Sequence, residues 1–201
     1  MQSRDGMTSN PIRPLRRLSS APVALLLLLA ACGAEDGTLR VIRDGKWKDF
    51  DHQRRSELSA DEETRLVLCG SDTGRNVAED VGRSACIHVV MDKALLGTGP
   101  RTLELAGTSY VKKTETLRSY TFKPRVENSP EMKAAWVQTS CFEPPDPVSL
   151  DVMQVVNGRL VLEENSATHL RGRMRLKMEG VTYGPCYGGG AEAELDFDAS
   201  L

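Results

Sequence analysis

The stretch Leu170-Arg171-Gly172-Arg173-Met174-Arg175-Leu176-Lys177-Met178 alternates apolar with mostly basic side chains, and Glu192-Ala193-Glu194-Leu195-Asp196-Phe197-Asp198 alternates acidic with apolar ones. A period of two is typical of a β-strand with one face in a core and the other in water. If the two strands pair antiparallel, both apolar rows enter one core and four cations face four carboxylates on the solvent side. The residues of this predicted ladder are Arg171, Arg173, Arg175, Lys177, Glu192, Glu194, Asp196 and Asp198.

The main expected role of this ladder is to define the register of the hairpin. Exposed ion pairs contribute little to stability, but a slip of one residue would move every side chain to the wrong face. A second interpretation is that the basic row binds phosphates of a lipid or a sugar. The matching acidic strand favours the first interpretation, in which the protein neutralises its own charge.

The same period of two recurs through most of the chain after Leu39, in five further segments: Ser84–Met91, Arg101–Ala106, Arg118–Lys123, Val148–Val156 and Arg159–Glu163. Asn157-Gly158 joins the last two of them and predicts a tight hairpin, because both residue types tolerate a positive φ. Together these patterns predict a mainly β fold, an antiparallel β-sandwich or β-meander with at most one or two short helices.

Two segments carry helix-start signals. Ser129-Pro130-Glu131 offers a cap, a proline at the first helical position and an acidic first turn. The residues that follow could instead form an extended run that ends at Cys141. Ser59-Ala60-Asp61-Glu62 has the form of a capping box, which predicts a brief helix.

The N-terminus has the parts of an export signal, namely the basic residues Arg13, Arg16 and Arg17 and an apolar run, Ala21–Ala30, too short to span a bilayer permanently. This run ends in Leu29-Ala30-Ala31-Cys32, which resembles the lipobox of bacterial lipoproteins. The resemblance implies that the Cys32 thiol carries a diacylglycerol and that residues 1–31 are removed as a signal peptide. The alternative is an ordinary signal peptide that is cleaved near Ala31.

The lipoprotein resemblance also implies a location. Each buried methylene of an acyl chain contributes about 0.8 kcal/mol, so two or three chains hold a soluble domain at a membrane. Residues 32–37 would be the acylated cysteine and a short tether, and residues 38–201 a single β-rich domain in the bacterial cell envelope. Many lipoproteins retained in the inner membrane have aspartate after the cysteine, so Gly33 favours the outer membrane.

The mature part has only a generic resemblance. Asn157–Leu162, Leu170–Met174 and Leu195–Ala199 together resemble the terminal meander of small exported bacterial β-sandwich proteins. That resemblance implies a fold and no particular activity.

Four cysteines follow Cys32: Cys69, Cys86, Cys141 and Cys186. An even number in an oxidising compartment predicts two disulfides, for which three pairings are possible. We favour Cys69–Cys86, which brackets one turn region, and Cys141–Cys186, which ties a loop to the last strands. A metal site is the competing interpretation, but the spacing of Cys-x-x-Cys or Cys/His ligands is missing.

Charge and hydropathy restrict the partners. The leader holds four of the 26 basic and one of the 28 acidic residues, which leaves 22 basic and 27 acidic residues and a net charge of −5. This charge argues against nucleic acid as a partner. No later apolar run could span a membrane, so we expect membrane contact through the acyl chains on Cys32 alone.

No motif predicts catalysis, a metal or a cofactor. Ser109-Tyr110-Val111-Lys112 has the Ser-x-x-Lys spacing of penicillin-recognising enzymes, but it lies in a strand-like context and lacks their other motifs. His52, His88 and His169 have no second ligand at metal spacing. The sequence therefore predicts a non-enzymatic binding or structural module, with the protein or glycan partner undefined.

Two alternatives remain open. One is an envelope hydrolase whose site is assembled from distant residues. The other is a lipid- or glycan-binding lipoprotein, for which the candidate aromatic residues are Trp47, Trp136, Tyr110 and Tyr120. A binding surface would be expected first in the Val181–Gly190 and Cys141–Pro147 loops, with Tyr183 and Tyr187 as candidate ligand-binding residues, because the loops of sandwiches carry function.

Overall fold

The computed structural model describes residues 36–43, 45–72, 84–113, 118–140, 150–180 and 188–201. Cys32, Cys141, Cys186, Tyr183 and Tyr187 lie outside these ranges, as do the leader and the Cys141–Pro147 loop. The strands are β1 (Gly37–Arg43), β2 (Lys46–Asp49), β3 (His52–Ala60), β4 (Thr64–Ser71), β5 (Ser84–Met91), β6 (Arg101–Lys113), β7 (Arg118–Pro124), β8 (Met132–Ser140), β9 (Leu150–Asn165), β10 (His169–Gly180) and β11 (Gly188–Ser200).

These strands form two antiparallel sheets. The larger has the order β2-β1-β11-β10-β9-β6-β7 and the smaller the order β3-β4-β5-β8. A short 3-10 helix, Lys93–Leu95, is the one helical element in the described ranges. Its N-cap is Asp92, whose carboxylate accepts a hydrogen bond from the Ala94 N–H. The predicted mainly β fold, an antiparallel β-sandwich with at most one or two short helices, is confirmed.

The core consists of the alternate side chains of strands from both sheets. The smaller sheet contributes Leu66, Leu68, Ile87 and Val89, and the larger sheet contributes Leu160, Leu162, Leu170, Met174, Leu176, Leu195 and Phe197. Full burial of one such large apolar side chain stabilises the fold by about 1.5–3 kcal/mol. Because the apolar residues of β10 and β11 belong to the same buried cluster, the two rows enter one core, as predicted.

The predicted hairpin turn at Asn157-Gly158 is wrong, because β9 runs through both residues without a turn. Gly158 pairs with Leu176 of β10 on one side and with Leu105 of β6 on the other. A Cβ at Gly158 would stand 2.4 Å from the Arg175 carbonyl oxygen. Glycine is therefore required here because the neighbouring backbone approaches closely, and not because the chain turns.

Neither predicted helix forms. The Ser129-Pro130 segment is a turn in which the Met132 N–H donates to the Ser129 carbonyl over 2.9 Å, and β8 begins at Met132. The alternative of an extended run is the one the structure shows. At the capping-box segment the chain passes from β3 through a bend into β4, because pairing between these strands outweighs the local helix signal.

A β-bulge separates Arg171 from Gly172 where β10 pairs with β9. Gly172 pairs with Leu162 and Arg171 pairs with Glu164, so Glu163 is the extra residue on β9. A Cβ on Gly172 would stand 1.9 Å from the Val161 carbonyl oxygen. Glycine at this position lets the two backbones come together beside the bulge.

One buried side chain connects the two sheets. Gln154 of β9 is fully buried, and its side-chain oxygen accepts a hydrogen bond from the Val137 N–H while its amide donates to the Val137 carbonyl, both over 2.8 Å. Val137 lies on β8, an edge strand of the smaller sheet. The glutamine amide thus satisfies the two backbone groups of Val137 to which a further strand of the sheet would otherwise bond.

Candidate functional site

The outer face of the larger sheet carries the charge ladder. In the observed register Arg171 lies opposite Asp198, Arg173 opposite Asp196, Arg175 opposite Glu194 and Lys177 opposite Glu192. Each strand turns one row into the core and the other to solvent, so all eight charged side chains share one face. A face of this composition neutralises its own charge.

The ion pairs spread beyond the two strands that the sequence identified. Arg175 contacts Glu194 at 2.7 Å, but Arg173 lies closer to Glu163 on β9, at 2.9 Å, than to Asp196, at 3.8 Å. The bulge explains this preference, because it adds Glu163 to the strand beside Arg173. Arg173 therefore contacts a carboxylate on each of the two neighbouring strands.

The strands on either side continue the same pattern. Arg159 of β9 contacts Glu104 of β6 at 2.6 Å, and Arg40 of β1 contacts Asp49 of β2 at 3.0 Å. A shallow cavity of about 470 Å³ on this face is lined by charges of both signs, among them Arg175, Lys177 and Glu192. The close carboxylates leave the basic row poorly suited to bind phosphate.

His169 lies at the end of the ladder and binds two carboxylates. Its Nδ1 is 3.0 Å from Glu164 Oε1 and its Nε2 is 2.7 Å from Asp198 Oδ1. The hydrogen bond to Asp198, followed by the one to Glu164, raises the pKa of His169 above its ordinary value of 6.5. Both ring nitrogens can donate only when the imidazole is protonated, so the cationic form joins β9, β10 and β11.

We expect this histidine to make the stability of the fold depend on pH. A pKa that is higher in the folded than in the unfolded state contributes stability below about pH 6.5, and that contribution is lost as pH rises through the folded pKa. Denaturation with urea across this range should show the decline in wild type, and His169→Gln should flatten it. His52→Gln, which changes an exposed histidine outside the ladder, is the matched control variant. An equal decline in His169→Gln would contradict this assignment.

The outer face of the smaller sheet differs in character. Cys69 of β4 and Cys86 of β5 are opposite each other in the register and form a disulfide, with their Cα atoms 4.1 Å apart. This is the first of the two predicted disulfides. Val67 and His88 lie beside it on the same face, and with the disulfide they line a cavity of about 470 Å³. We call this cavity the disulfide hollow.

Arg55, Glu57 and Ser59 of β3 line one side of the disulfide hollow, and Ser84 and Gln138 line other parts of it. Arg55 contacts Glu57 at 3.5 Å. The lining therefore combines apolar groups with side chains that donate and accept hydrogen bonds. This combination is typical of small-molecule sites.

An aromatic stack stands beside the hollow. The ring of His88 stacks on Trp136 with centroids 4.8 Å apart and an interplanar angle of 6°. Tyr120 stacks on Trp136 at 4.9 Å, and it comes from β7 of the other sheet, which packs against β8. The Arg65 guanidinium lies 5.8 Å from the Tyr120 ring centroid and 6.0 Å from that of Trp136.

The hydroxyl of Tyr120 extends this stack into a polar chain. It donates a hydrogen bond to Glu63 Oε2. Burial, together with the hydrogen bond to Glu63, raises the pKa of Tyr120 above its ordinary value of 10.0, and a hydrogen bond from Arg65 acts in the opposite direction. Tyr120 thus remains a neutral phenol that holds the Arg65 side chain in place.

The other aromatic candidates divide by exposure. Trp136 is buried, whereas Trp47 and Tyr110 are 41% and 38% exposed. Arg40 lies over the Trp47 ring at 5.2 Å and Lys123 over that of Tyr110 at 5.0 Å. These two rings stand apart from the hollow.

The hollow was missed in the sequence, although part of its signal was present. The alternating segment Ser84–Met91 puts Cys86 and His88 on one strand face, and Arg65, Val67 and Cys69 alternate on β4. The missing information was the position of Tyr120, which only the packing of β7 on β8 supplies.

Two findings concern the residues considered for catalysis and for metal binding. Ser109 is fully buried, so its hydroxyl is not accessible as a nucleophile. In the described ranges no group of three or more His, Cys, Asp or Glu side chains could hold a metal ion. No helix in that part of the chain is long and apolar enough to cross a membrane.

No family model, curated protein or solved structure matches the chain. The function is therefore inferred from the residues and from the geometry of the two outer faces.

Proposed function

We propose that this protein is a lipid-anchored component of the bacterial cell envelope, acylated at Cys32, and that its β-sandwich is a non-enzymatic binding module. The anchor is supported by the lipobox-like Leu29-Ala30-Ala31-Cys32 and the export signal before it. Residues 32–37 would be the acylated cysteine and a short tether, and β1 begins at the end of that span, at Gly37. The domain is therefore held close to the membrane surface.

The observation that carries the binding role is the contrast between the two outer faces. On the larger sheet, cations and carboxylates pair at 2.6–3.0 Å in four places. On the smaller sheet, the disulfide hollow combines an apolar floor with hydrogen-bonding groups at its sides. The smaller sheet is the better candidate for a ligand, because its hollow combines apolar with hydrogen-bonding groups, whereas the outer face of the larger sheet is occupied by paired charges.

The second proposed disulfide, Cys141–Cys186, belongs to the same proposal. Cys141 directly follows β8, and Cys186 comes two residues before β11. With Cys69 and Cys86 already joined, a second bridge would leave the acylated mature protein without a free thiol. Thiol alkylation of the denatured, unreduced protein measures this directly.

We expect Cys32→Ser to release the protein from the envelope. Wild type should fractionate with the outer membrane, and mass spectrometry of its N-terminus should show a diacylglyceryl thioether on Cys32. Cys32→Ser should appear in the soluble fraction, because it lacks the thiol that carries the acyl chains.

Gly33→Asp provides the matched control, since it keeps the thiol and changes only the residue that affects sorting. It should remain acylated and shift towards the inner membrane. An unmodified Cys32 in wild type, or a Cys32→Ser protein that stays with the membranes, would refute the anchor.

A further inference from the structure

The Arg65 side chain is held in place but forms no direct ion pair among the described residues, and Glu63 accepts a hydrogen bond from the same Tyr120 hydroxyl that Arg65 contacts. Among the residues that the structure describes, its contacts are the two aromatic rings and the Tyr120 oxygen, with no carboxylate within ion-pair distance. The arginines of the larger sheet differ, since Arg159, Arg173 and Arg175 each contact a carboxylate at less than 3.0 Å. A half-buried arginine without a direct ion pair is a candidate anion site.

Stacking makes Arg65 suitable for this role. A guanidinium over aromatic rings keeps its N–H donors in the plane of the group and directed away from the ring faces. Because the side chain is already fixed against Tyr120 and Trp136, little rotamer entropy is lost when it binds an anion. A planar fork of N–H donors matches a carboxylate or phosphate with two parallel hydrogen bonds.

The floor of the hollow favours a ring beside that anion. Val67 and the Cys69–Cys86 disulfide give a low apolar surface, and His88, with one ring face against Trp136, lines the hollow as well. A pyranose ring has apolar C–H faces and a rim of hydroxyls, and could therefore lie on this floor.

The polar side chains at the sides of the hollow can form hydrogen bonds with the hydroxyls of such a sugar. Glu57 offers acceptors and Ser59 offers a hydroxyl. A cavity of about 470 Å³ falls within the range of about 300–1,000 Å³ for small-molecule sites. The charged and polar sides disfavour a lipid chain, which would leave these groups without hydrogen bonds.

We propose that the disulfide hollow binds an acidic saccharide of one or two rings, with the anionic group on Arg65 and a sugar face on Val67 and the disulfide. This inference rests on the proposed binding function and names the class of ligand. The anion that the hollow best accommodates is a carboxylate, as in a uronic acid, because Glu63, which shares the Tyr120 hydroxyl with Arg65, and Glu57 in the wall of the hollow would repel the second charge of a phosphate.

Isothermal titration calorimetry on the mature acylated protein in detergent tests this assignment with three probes. Cellobiouronic acid supplies a carboxylate, glucose 6-phosphate a phosphate, and cellobiose a neutral pair of rings. We expect cellobiouronic acid to bind most tightly. Neutral cellobiose at equal affinity would overturn the role of Arg65, and tighter binding of glucose 6-phosphate would overturn the choice of carboxylate.

Arg65→Met should weaken binding of cellobiouronic acid by about tenfold to a hundredfold, which is the usual size of a charge-assisted hydrogen-bond contribution. Arg175→Met removes a cation from the other sheet and should leave the affinity unchanged. If Arg65→Met binds as tightly as wild type, the proposal is wrong.

Val67→Glu provides a second test that leaves Arg65 and its aromatic support in place. It puts a carboxylate on the floor and should abolish binding of the uronic acid, whereas Val67→Ile should keep it. Unchanged binding in Val67→Glu would also overturn the proposal. If no probe binds while Cys32 is acylated, the saccharide assignment fails and the lipoprotein proposal stands, so the two failures can be told apart.

Discussion

Replacing Gln154 with leucine should lower the free energy of unfolding by about 2–6 kcal/mol, because it leaves the Val137 N–H and carbonyl buried without partners, at about 1–3 kcal/mol each. The glutamine is fully buried, and both hydrogen bonds are 2.8 Å long. Leucine has a similar volume, so the expected loss comes from the two backbone groups and not from a cavity. Urea denaturation followed by circular dichroism measures the change.

Two further variants show whether the hydrogen bonds are responsible. A protonated glutamate can both accept from an N–H and donate to a carbonyl, so Gln154→Glu should be destabilised at neutral pH and recover part of the loss in acid. Gln138→Leu changes the neighbouring, half-buried glutamine of β8 and should cost much less. A Gln154→Leu protein as stable as wild type would show that Val137 finds other partners.

Gly172→Ala should be as damaging, with an expected loss of about 3 kcal/mol, the upper end of the usual range for overpacking at a site that cannot relax. The new Cβ would stand 1.9 Å from the Val161 carbonyl oxygen and 3.0 Å from its carbonyl carbon. Both atoms are backbone in the middle of a sheet, so relief requires β9 and β10 to separate beside the bulge. Thermal unfolding should show a lower midpoint.

Gly189→Ala is the matched control within a strand. Its Cβ would meet Ile42 Cγ2 at 3.5 Å, which is an ordinary van der Waals contact. This substitution should be neutral or stabilise by up to about 1 kcal/mol, since alanine has fewer unfolded conformations to lose. If both variants lose the same stability, any added side chain in these strands is damaging. That result would contradict the explanation that the close backbone approach at Gly172 causes the loss.

The fold class could be predicted because its signals lie in residues adjacent in sequence. The alternation in β10 and β11 identified both strands, the face that each buries and the two charged rows that face each other. The turn predicted at Asn157-Gly158 is wrong because the turn signal depends only on neighbouring residues. Pairing of β9 with a strand on each side keeps the chain extended there. The helix signals at Ser59 and Ser129 failed for the same reason.

The candidate site was harder to predict, because it joins residues that only packing brings together. Tyr120 belongs to one sheet and Trp136 to the other, and no sequence pattern relates β7 to the outer face of β8. Gln154 did leave a signal, since it is the polar member of an otherwise apolar row with Val152 and Val156. A polar residue in such a row can indicate a buried hydrogen bond.

Gln154, whose side chain hydrogen-bonds to the backbone N–H and carbonyl of Val137, also affects how this protein behaves at high concentration. An exposed edge strand invites a second chain to add to the sheet, which is a common route to aggregation. At β8 that position is filled from within the molecule. At β3, the opposite edge, the register shifts between His52 and Arg55, and Gln53 has a φ of 46°. Copies of this chain that meet at these two edges are thus poorly placed to extend one another's sheets.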